Sequence, residues 1–557
     1  MGFELSTTAS EATVPRPSRE VSAERVRTAR LASCRHGLAL TMLIIVFLGL
    51  EYLLPLGRAI KIGADEDYEL AKATLCNHGY RLYTEIWDDQ PPLVTTIIAK
   101  LSQHASNQIL PARLLTVSLS VVLLSATFIL VRAVNGQLVA ILSAALFICS
   151  PGFLELSCSV MQEILAFAPV VASLCLLWTG PRDRHLRTVV LAGMVFGFAL
   201  QMKLIGVVYL PVAGLILWLR NNPPFVEATF SRKAWVRFLS NWLKASFFFG
   251  LSLMLAFIAL NCLTGNSLVL QVQQSWAAHF AQTKSFEYGS PSEHGFDWTV
   301  PLKNWDALVP ALVGLCILLG SLGKDRAAVI PVAWLGLSLL VFGTHKPWWP
   351  YYYIHCALPL CWSAGVGLRE GWVWSRSLFA KTSMESKAPI KTGSQRLPRM
   401  RVGRERLPYL QTAALGILAL CALVWMGTRV YLEEQAIRRA PRIDSALVLK
   451  QIQRFKPFCK FMFCDRPVYS FHADLPMPPH LGVISLKRFW TGDLSNAGLA
   501  AELNAEKPGL ILIGRDSHQV PYEDLLLREY RLVYQDGENR LYAHESISKK
   551  PSLLTTE

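Results

Sequence analysis

The sequence predicts a polytopic all-α membrane protein of about 11 transmembrane helices with a C-terminal extracytoplasmic α/β domain. Three observations lead there. Apolar runs close to the length of a bilayer span recur along 557 residues that are 52% hydrophobic and only 17% charged. Basic residues gather in short segments between those runs, which is the positive-inside pattern. From 429 onward the chain is polar enough to fold in water. The formal net charge of +15 therefore points to membrane topology, and nucleic acid is not among the expected partners.

The runs fall at about 37–56, 111–131, 137–150, 161–178, 188–201, 204–219, 244–262, 305–322, 328–343, 350–368 and 409–428. Lys203 sets the division of 188–219, which other splits also satisfy. A segment at 92–104 is too short to span, carries Lys100 and suits the interface. The first 35 residues hold six Arg and no apolar run with a cleavage site, so 1–36 reads as a disordered basic cytosolic tail. PRDRHLR (181–187), SRKAWVR (231–237), GKDR (323–326) and the long basic loop 369–408 share that side. The opposite side receives 57–110, 151–160, the turn at Lys203, 263–304, THKPWWP (344–350) and everything after 429. The expected domains are thus the tail, a multi-span unit over 37–428 and an extracytoplasmic unit over 429–557, in a multi-pass plasma (inner) membrane protein.

In the C-terminal unit, HLGVISL (480–486) and LILIG (510–514) read as strands. LAAELNAEKPG (499–509) and YEDLLLREY (522–530) read as helices, the first ending at Pro508-Gly509. RLVYQDGENRLYAHE (531–545) reads as a hairpin turned at Asp536-Gly537. No glycine-rich phosphate loop is present. Of twelve Cys most lie in apolar runs as small hydrophobes. Cys459 and Cys464 fall in the polar region, where a disulfide and two free thiols are equally compatible with the sequence.

Loop 57–110 is dense in charge: ADEDYELAKATLCNHGYRLYTEIWDDQPPL. Residues 65–78 have helical spacing, with Tyr68, Ala71 and Leu75 on one stripe and Asp65, Glu69 and Lys72 on another face. Gly79 is a natural end. The reading is an amphipathic helix on the membrane surface with its carboxylates toward water. Acids in a first turn serve ordinary capping equally well. The Pro91-Pro92 step fixes the entry angle of the next segment, and rigidly placed carboxylates at a membrane face suit a general base or a divalent cation. Glu163, one turn inside a span, is costly there unless paired or solvated. Lys203 can snorkel to the interface or bind a lipid phosphate. Arg113 opens the second span. In THKPWWPYYYIH (344–355) the aromatics fit an interfacial belt, while His345 and Lys346 add phosphate-binding chemistry. Cations for a lipid-phosphate leaving group and a carboxylate base for an acceptor together describe glycosyl transfer. A transporter or flippase of lipid-linked sugars, and a non-catalytic membrane scaffold, are the rival readings.

Four segments carry a resemblance. ADEDYELAKATLCNHGY (64–80), WDDQPPL (87–93), GFALQMKLIG (197–206) and HKPWWPYYYIHCALPL (345–360) resemble elements of the GT-C superfamily of integral membrane glycosyltransferases. The similarity is to the dolichyl-phosphate-mannose protein mannosyltransferases and the bacterial lipid A aminoarabinose transferase, over about residues 37–370. The resemblance implies a GT-C-like fold and inverting transfer from a polyprenyl-phosphate-linked sugar donor to a lipid, glycan or protein acceptor on the extracytoplasmic face. It places the catalytic base at Asp65 with Glu66 beside it, and a second acidic position at Glu163, where the family more often has Asp. Asp89, Glu163 and His345 belong to the cavity or acceptor side. Lys203, Lys346, Arg113 and Tyr352 are candidates for the donor phosphate. Some relatives use a divalent ion (Mg or Mn), for which Asp65 and Glu163 are the candidate ligands.

Overall fold

The computed structural model describes residues 37–104, 109–181, 183–221, 232–280, 289–290, 293–386, 407–443, 447–514 and 521–548. The expected cytosolic tail (1–36) lies outside the described residues, as do residues 387–406 of the expected basic loop. Residues 369–386 of that loop continue a helix.

Sixteen helices precede the C-terminal unit among the described residues. They are α1 (Gly37–Leu53), α2 (Glu66–Asn77), α3 (Leu93–Gln103), α4 (Leu110–Asn135), α5 (Gln137–Ile148), α6 (Phe153–Cys158), α7 (Gln162–Thr179) and α8 (His185–Met202), then α9 (Leu210–Arg220), α10 (Arg232–Thr264), α11 (Leu268–Phe280), α12 (Thr299–Lys303), α13 (Trp305–Ser321), α14 (Val329–Thr344), α15 (Tyr353–Ser386) and α16 (Leu407–Arg438). Every expected apolar run falls on one of these helices. Six helical segments are long and apolar enough to cross a membrane, and four more are apolar but shorter. The chain is a polytopic all-α membrane protein with a β-containing C-terminal domain. Lys203 has extended backbone between α8 and a 3-10 turn, Leu204–Tyr209, so the apolar stretch 188–219 divides there.

Close backbone approach holds the bundle. On α8, a Cβ at Gly193 or Gly197 would overlap the carbonyl oxygens of Phe249 and Leu253 on α10. Gly314 on α13 and Gly367 on α15 face each other's helices in the same way, against Ser363 and Pro310. Lipid tails are as apolar as Leu, so helices in a bilayer associate through such small-residue seams. Around them Phe167, Phe196, Tyr209, Trp334 and Trp362 fill the interior. His355 belongs to this interior, its ring stacked on Phe342 at 4.6 Å.

The ends of the bundle differ in character. Trp178, Gly180, Arg220, Lys324 and Arg326 meet around one pocket, at the far ends of α7 and α9 and the start of α14. The acid-rich loop, the start of α7, Lys203 and Trp349–Tyr352 gather at the other end. The last membrane helix is tied in by a buried bidentate pair. Arg429 donates to both carboxylate oxygens of Asp306, at 2.6 and 3.0 Å, and to the carbonyl of Cys149.

The C-terminal domain follows α17 (Leu447–Phe455) with a four-stranded sheet of order β1-β2-β4-β3, made by β1 (Met462–Cys464), β2 (Leu510–Gly514), β3 (Tyr530–Gln535) and β4 (Asn539–His544). The pair β1–β2 is parallel and β3–β4 is the hairpin turned at Asp536-Gly537. Between β1 and β2 run α18 (Val468–Ala473), α19 (Leu486–Trp490) and α20 (Asn496–Glu506), and α21 (Glu523–Glu529) precedes β3. The strand expected at 480–486 is absent. That run makes a 3-10 turn, Pro479–Leu481, and then an extended wall of the acidic cavity. Its place beside β2 belongs to β1, a three-residue strand too short to show periodicity. Cys459 and Cys464 are not joined in a disulfide; the Cys459 thiol donates to the Phe455 carbonyl and the Cys464 thiol toward Met477 Sδ.

The acidic loop and the C-terminal domain share one core. Leu70, Ala73, Val94 and Ile98 pack in the same cluster as Phe471, Met477, Leu481 and Leu494. This overturns one expectation. Helix α2 does not rest on the membrane with carboxylates in water: Glu66, Asp67, Glu69 and Lys72 are all buried. One face of helix α3 packs into the same core, with Val94, Thr95, Ile98 and Ala99 buried and Lys100 exposed. Amphipathicity marks which faces differ, but a neighbouring domain decides what covers the polar one.

We expect Arg429→Met to cost about 3–5 kcal/mol, since it strands the buried Asp306 carboxylate. Thermal unfolding of the detergent-solubilised protein, with R429M showing a clearly lower midpoint, checks this.

Candidate active site

A cavity of about 280 Å³ opens at the acid-rich end of the bundle. Its walls are Asp65, Tyr68, Glu69 and Lys72 from α2 and its cap, Trp87–Gln90, Gln162 and Glu163 at the start of α7, Lys203, Trp349, Tyr351, Tyr352, and Val483, Ser485, Leu486, Lys487 and Trp490 of the C-terminal domain. Five sequence candidates meet here: Asp65, Asp89, Glu163, Lys203 and Tyr352.

Four of the candidates do not line it. Glu66 and Arg113 are each 0% exposed and bound to one another, Nε to Oε1 at 3.0 Å and Nη2 to Oε2 at 2.8 Å. Glu66 also accepts the amides of Ile62 and Val160, and Arg113 donates to the carbonyls of Leu56, Arg58 and Ile60. Their polar capacity is used within the protein, so neither is presented as a base or a phosphate ligand. Lys346 is exposed and outside the cavity wall. His345 stands at the rim, its ring 5.8 Å from that of Tyr352; burial and the Lys487 ammonium lower its pKa.

The cavity acids differ in their partners. Lys72 bridges Glu69 at 2.7 Å and Asp88 at 2.8 Å. Glu69 is further held by Thr95 and Gln162. Asp89 receives Lys487 at 2.5 Å and the Gln90 side-chain amide at 3.0 Å. Glu163 is paired with Lys203, whose ammonium also lies 5.5 Å and 5.9 Å from the ring centres of Tyr351 and Tyr352. Asp65 is, among the described residues, the one cavity carboxylate without an ion-pair partner. It is the N-cap of α2, yet its side chain caps nothing; the phenol of Tyr351 lines the same cavity. Ordinary capping therefore does not account for it.

The WDDQ segment is clamped from below. Gln274 of α11 accepts from the Asp88 amide at 3.2 Å and donates to Tyr83, and the Tyr83 hydroxyl donates to the Gln90 carbonyl at 2.6 Å. Asp88 is 1% exposed, not turned to water. Burial, reinforced by Glu69 and only partly opposed by Lys72, pushes its pKa up to about 7.

For a divalent ion the donor set does not fit. Glu163 already faces the Lys203 ammonium, and no group of three His, Cys, Asp or Glu that could hold a metal occurs among the described residues.

Sequence reasoning missed Lys487, Trp490 and the burial of Asp88. The Glu69/Lys72 spacing of three residues was visible and did signal one face. For Lys487, nearly four hundred positions from Asp89, the sequence carries no local signal. Because the folded pKa of Asp88 exceeds the unfolded one, its contribution to stability is complete below about pH 4 and lost as pH rises through about 7. We expect Asp88→Asn to flatten the fall in unfolding midpoint between pH 5 and pH 8. Identical slopes for D88N and the unaltered protein would refute this.

A family model described as dolichyl-phosphate-mannose-protein mannosyltransferase matches residues 89–259, a span holding Glu163 and Lys203. No curated protein matches the chain. Among solved structures, ArnT from Cupriavidus metallidurans bound to undecaprenyl phosphate superposes with a TM-score of 0.59 at 13% identity, covering 93% of this chain and 99% of that one. The archaeal oligosaccharyltransferase AglB from Archaeoglobus fulgidus, in complex with an inhibitory peptide and a dolichol-phosphate, gives a TM-score of 0.52 at 13% identity, covering 88% and 71%. The chain has the fold of the GT-C superfamily of membrane glycosyltransferases, to whose solved members it is similar at low identity.

Proposed function

We propose that the protein is an inverting glycosyltransferase that moves a sugar from a polyprenyl-phosphate donor to an envelope acceptor on the extracytoplasmic face of the membrane. The observation that carries this reading is the single unpaired carboxylate, Asp65, in one cavity with the cation Lys203 and the phenol of Tyr352. The likeness to ArnT bound to undecaprenyl phosphate and to AglB in complex with a dolichol-phosphate supports the donor class.

In this reading Asp65 takes the proton of the acceptor hydroxyl as the acceptor oxygen attacks the anomeric carbon. The bond from that carbon to the phosphate oxygen breaks on the opposite face, which inverts the centre. Polyprenyl phosphate leaves without a proton, gaining one negative charge next to Lys203 and Tyr352. Asp89 and Glu163 shape the polar wall. Fixed charges in a water-poor cavity act on the developing charge with little reorganisation. A carboxylate already held by an ammonium is a weaker base, which favours Asp65 over its neighbours.

The orientation belongs to the same proposal: the cavity faces outward, and the basic end at Arg220, Lys324 and Arg326 faces the cytosol. A flippase needs a polar path through the bundle. The cavity charges lie at one end, while the interior holds Trp334, Trp362 and Phe167. A scaffold gives no reason for Asp65 and Lys203 to share a cavity.

Loss of a positioned general base costs roughly 10²–10⁴-fold in rate. Purified Asp65→Asn protein, supplied with a polyprenyl-phosphate sugar and envelope acceptors, is expected to lose transfer by about that factor with donor binding retained. Full transfer by D65N would remove Asp65 from the role.

A further inference from the structure

Lys487 is, among the described residues, the one cavity cation supplied by the C-terminal domain. Its backbone is firmly placed. Neighbouring Arg488 donates to Asp493 at 2.6 Å and to the Val483 carbonyl at 3.0 Å, and lies over the Trp87 ring at 5.7 Å. Trp490 is fully buried. The Tyr68 hydroxyl donates to the Ile484 carbonyl at 2.7 Å. At its tip, by contrast, the Lys487 ammonium rests on one carboxylate, Asp89, which keeps the Gln90 amide if the lysine moves. Tyr352 lies within the fields of both Lys203 and Lys487, so the two ammoniums face a common space.

We propose that Lys487 binds the phosphate of the lipid donor opposite Lys203, exchanging Asp89 for it, so that the donor site is complete only with the C-terminal domain seated. This rests on the donor reading given above. A donor phosphodiester carries one negative charge and the departing polyprenyl phosphate gains a second. Lys203 is matched by Glu163 as Lys487 is by Asp89, but Asp89 keeps the Gln90 amide, so the Lys487 ammonium can turn to the phosphate as its charge develops. A long, flexible lysine on a rigid backbone suits such an exchange.

The test is binding of undecaprenyl phosphate to the full-length protein in detergent, with undecaprenol as the uncharged control. A hydrogen bond to a charged group is worth enough to change affinity about 10–100-fold. Lys487→Met is expected to weaken undecaprenyl phosphate by that factor and leave undecaprenol unchanged, with Lys487→Arg restoring most of the loss. Asp89→Asn, which releases the ammonium, is expected to bind undecaprenyl phosphate at least as tightly as the unaltered protein. Equal affinity in K487M overturns the proposal. So does a loss in D89N matching that in K487M, since the pair then serves only to hold the WDDQ loop. If K487M does not fold, K487Q takes its place. If the unaltered protein fails to distinguish undecaprenyl phosphate from undecaprenol, the donor reading itself fails instead.

Discussion

The buried Glu66–Arg113 pair sets the frame for everything at the acid-rich end of the bundle. Arg113 gathers the carbonyls of Leu56, Arg58 and Ile60, and Glu66 accepts the amides of Ile62 and Val160. One ion pair thereby fastens the loop after α1 to the start of α4 and to the turn before α7. Removing either partner would leave a charge stranded in a space without water, which is why such a pair is hard to give up once formed. Asp65 precedes Glu66, so the pin also determines where the cavity carboxylate can stand.

Above that frame the polar groups form a graded set. Lys72 serves two carboxylates, Lys203 and Lys487 serve one each, and Asp65 is in no ion pair with a described residue. Chemistry that needs a base and a cation in one cavity can draw on Asp65 without first breaking an ion pair. The same logic explains why Glu66 and Asp88 carry structure: each is buried and bonded within the protein.

The C-terminal domain is not an appendage to this site. It supplies Val483, Ser485, Leu486, Lys487 and Trp490 to the wall and shares an apolar core with α2 and α3. Burial of that shared face covers α2, and of its charged side chains Glu69 and Lys72 line the cavity while Glu66 and Asp67 are paired elsewhere in the protein.

The span pattern, the division at Lys203, the α2 helix ending before Gly79 and the hairpin at Asp536-Gly537 were legible because each rests on local chemistry: apolar run length, a charge inside an apolar stretch, a glycine stop, a turn dipeptide. The resemblance carried by the ADEDYEL and WDDQPPL segments likewise pointed to the correct fold. Which carboxylate stays unpaired was not legible. It depends on ammoniums arriving from distant segments, Lys203 onto Glu163 and Lys487 onto Asp89, and on Arg113 taking up Glu66. The sequence by itself determined that the protein crosses a membrane and concentrates acids in one loop. Only the tertiary structure decided which of those acids are held in ion pairs, because pairing of buried charges is a property of three-dimensional neighbours and not of spacing along the chain.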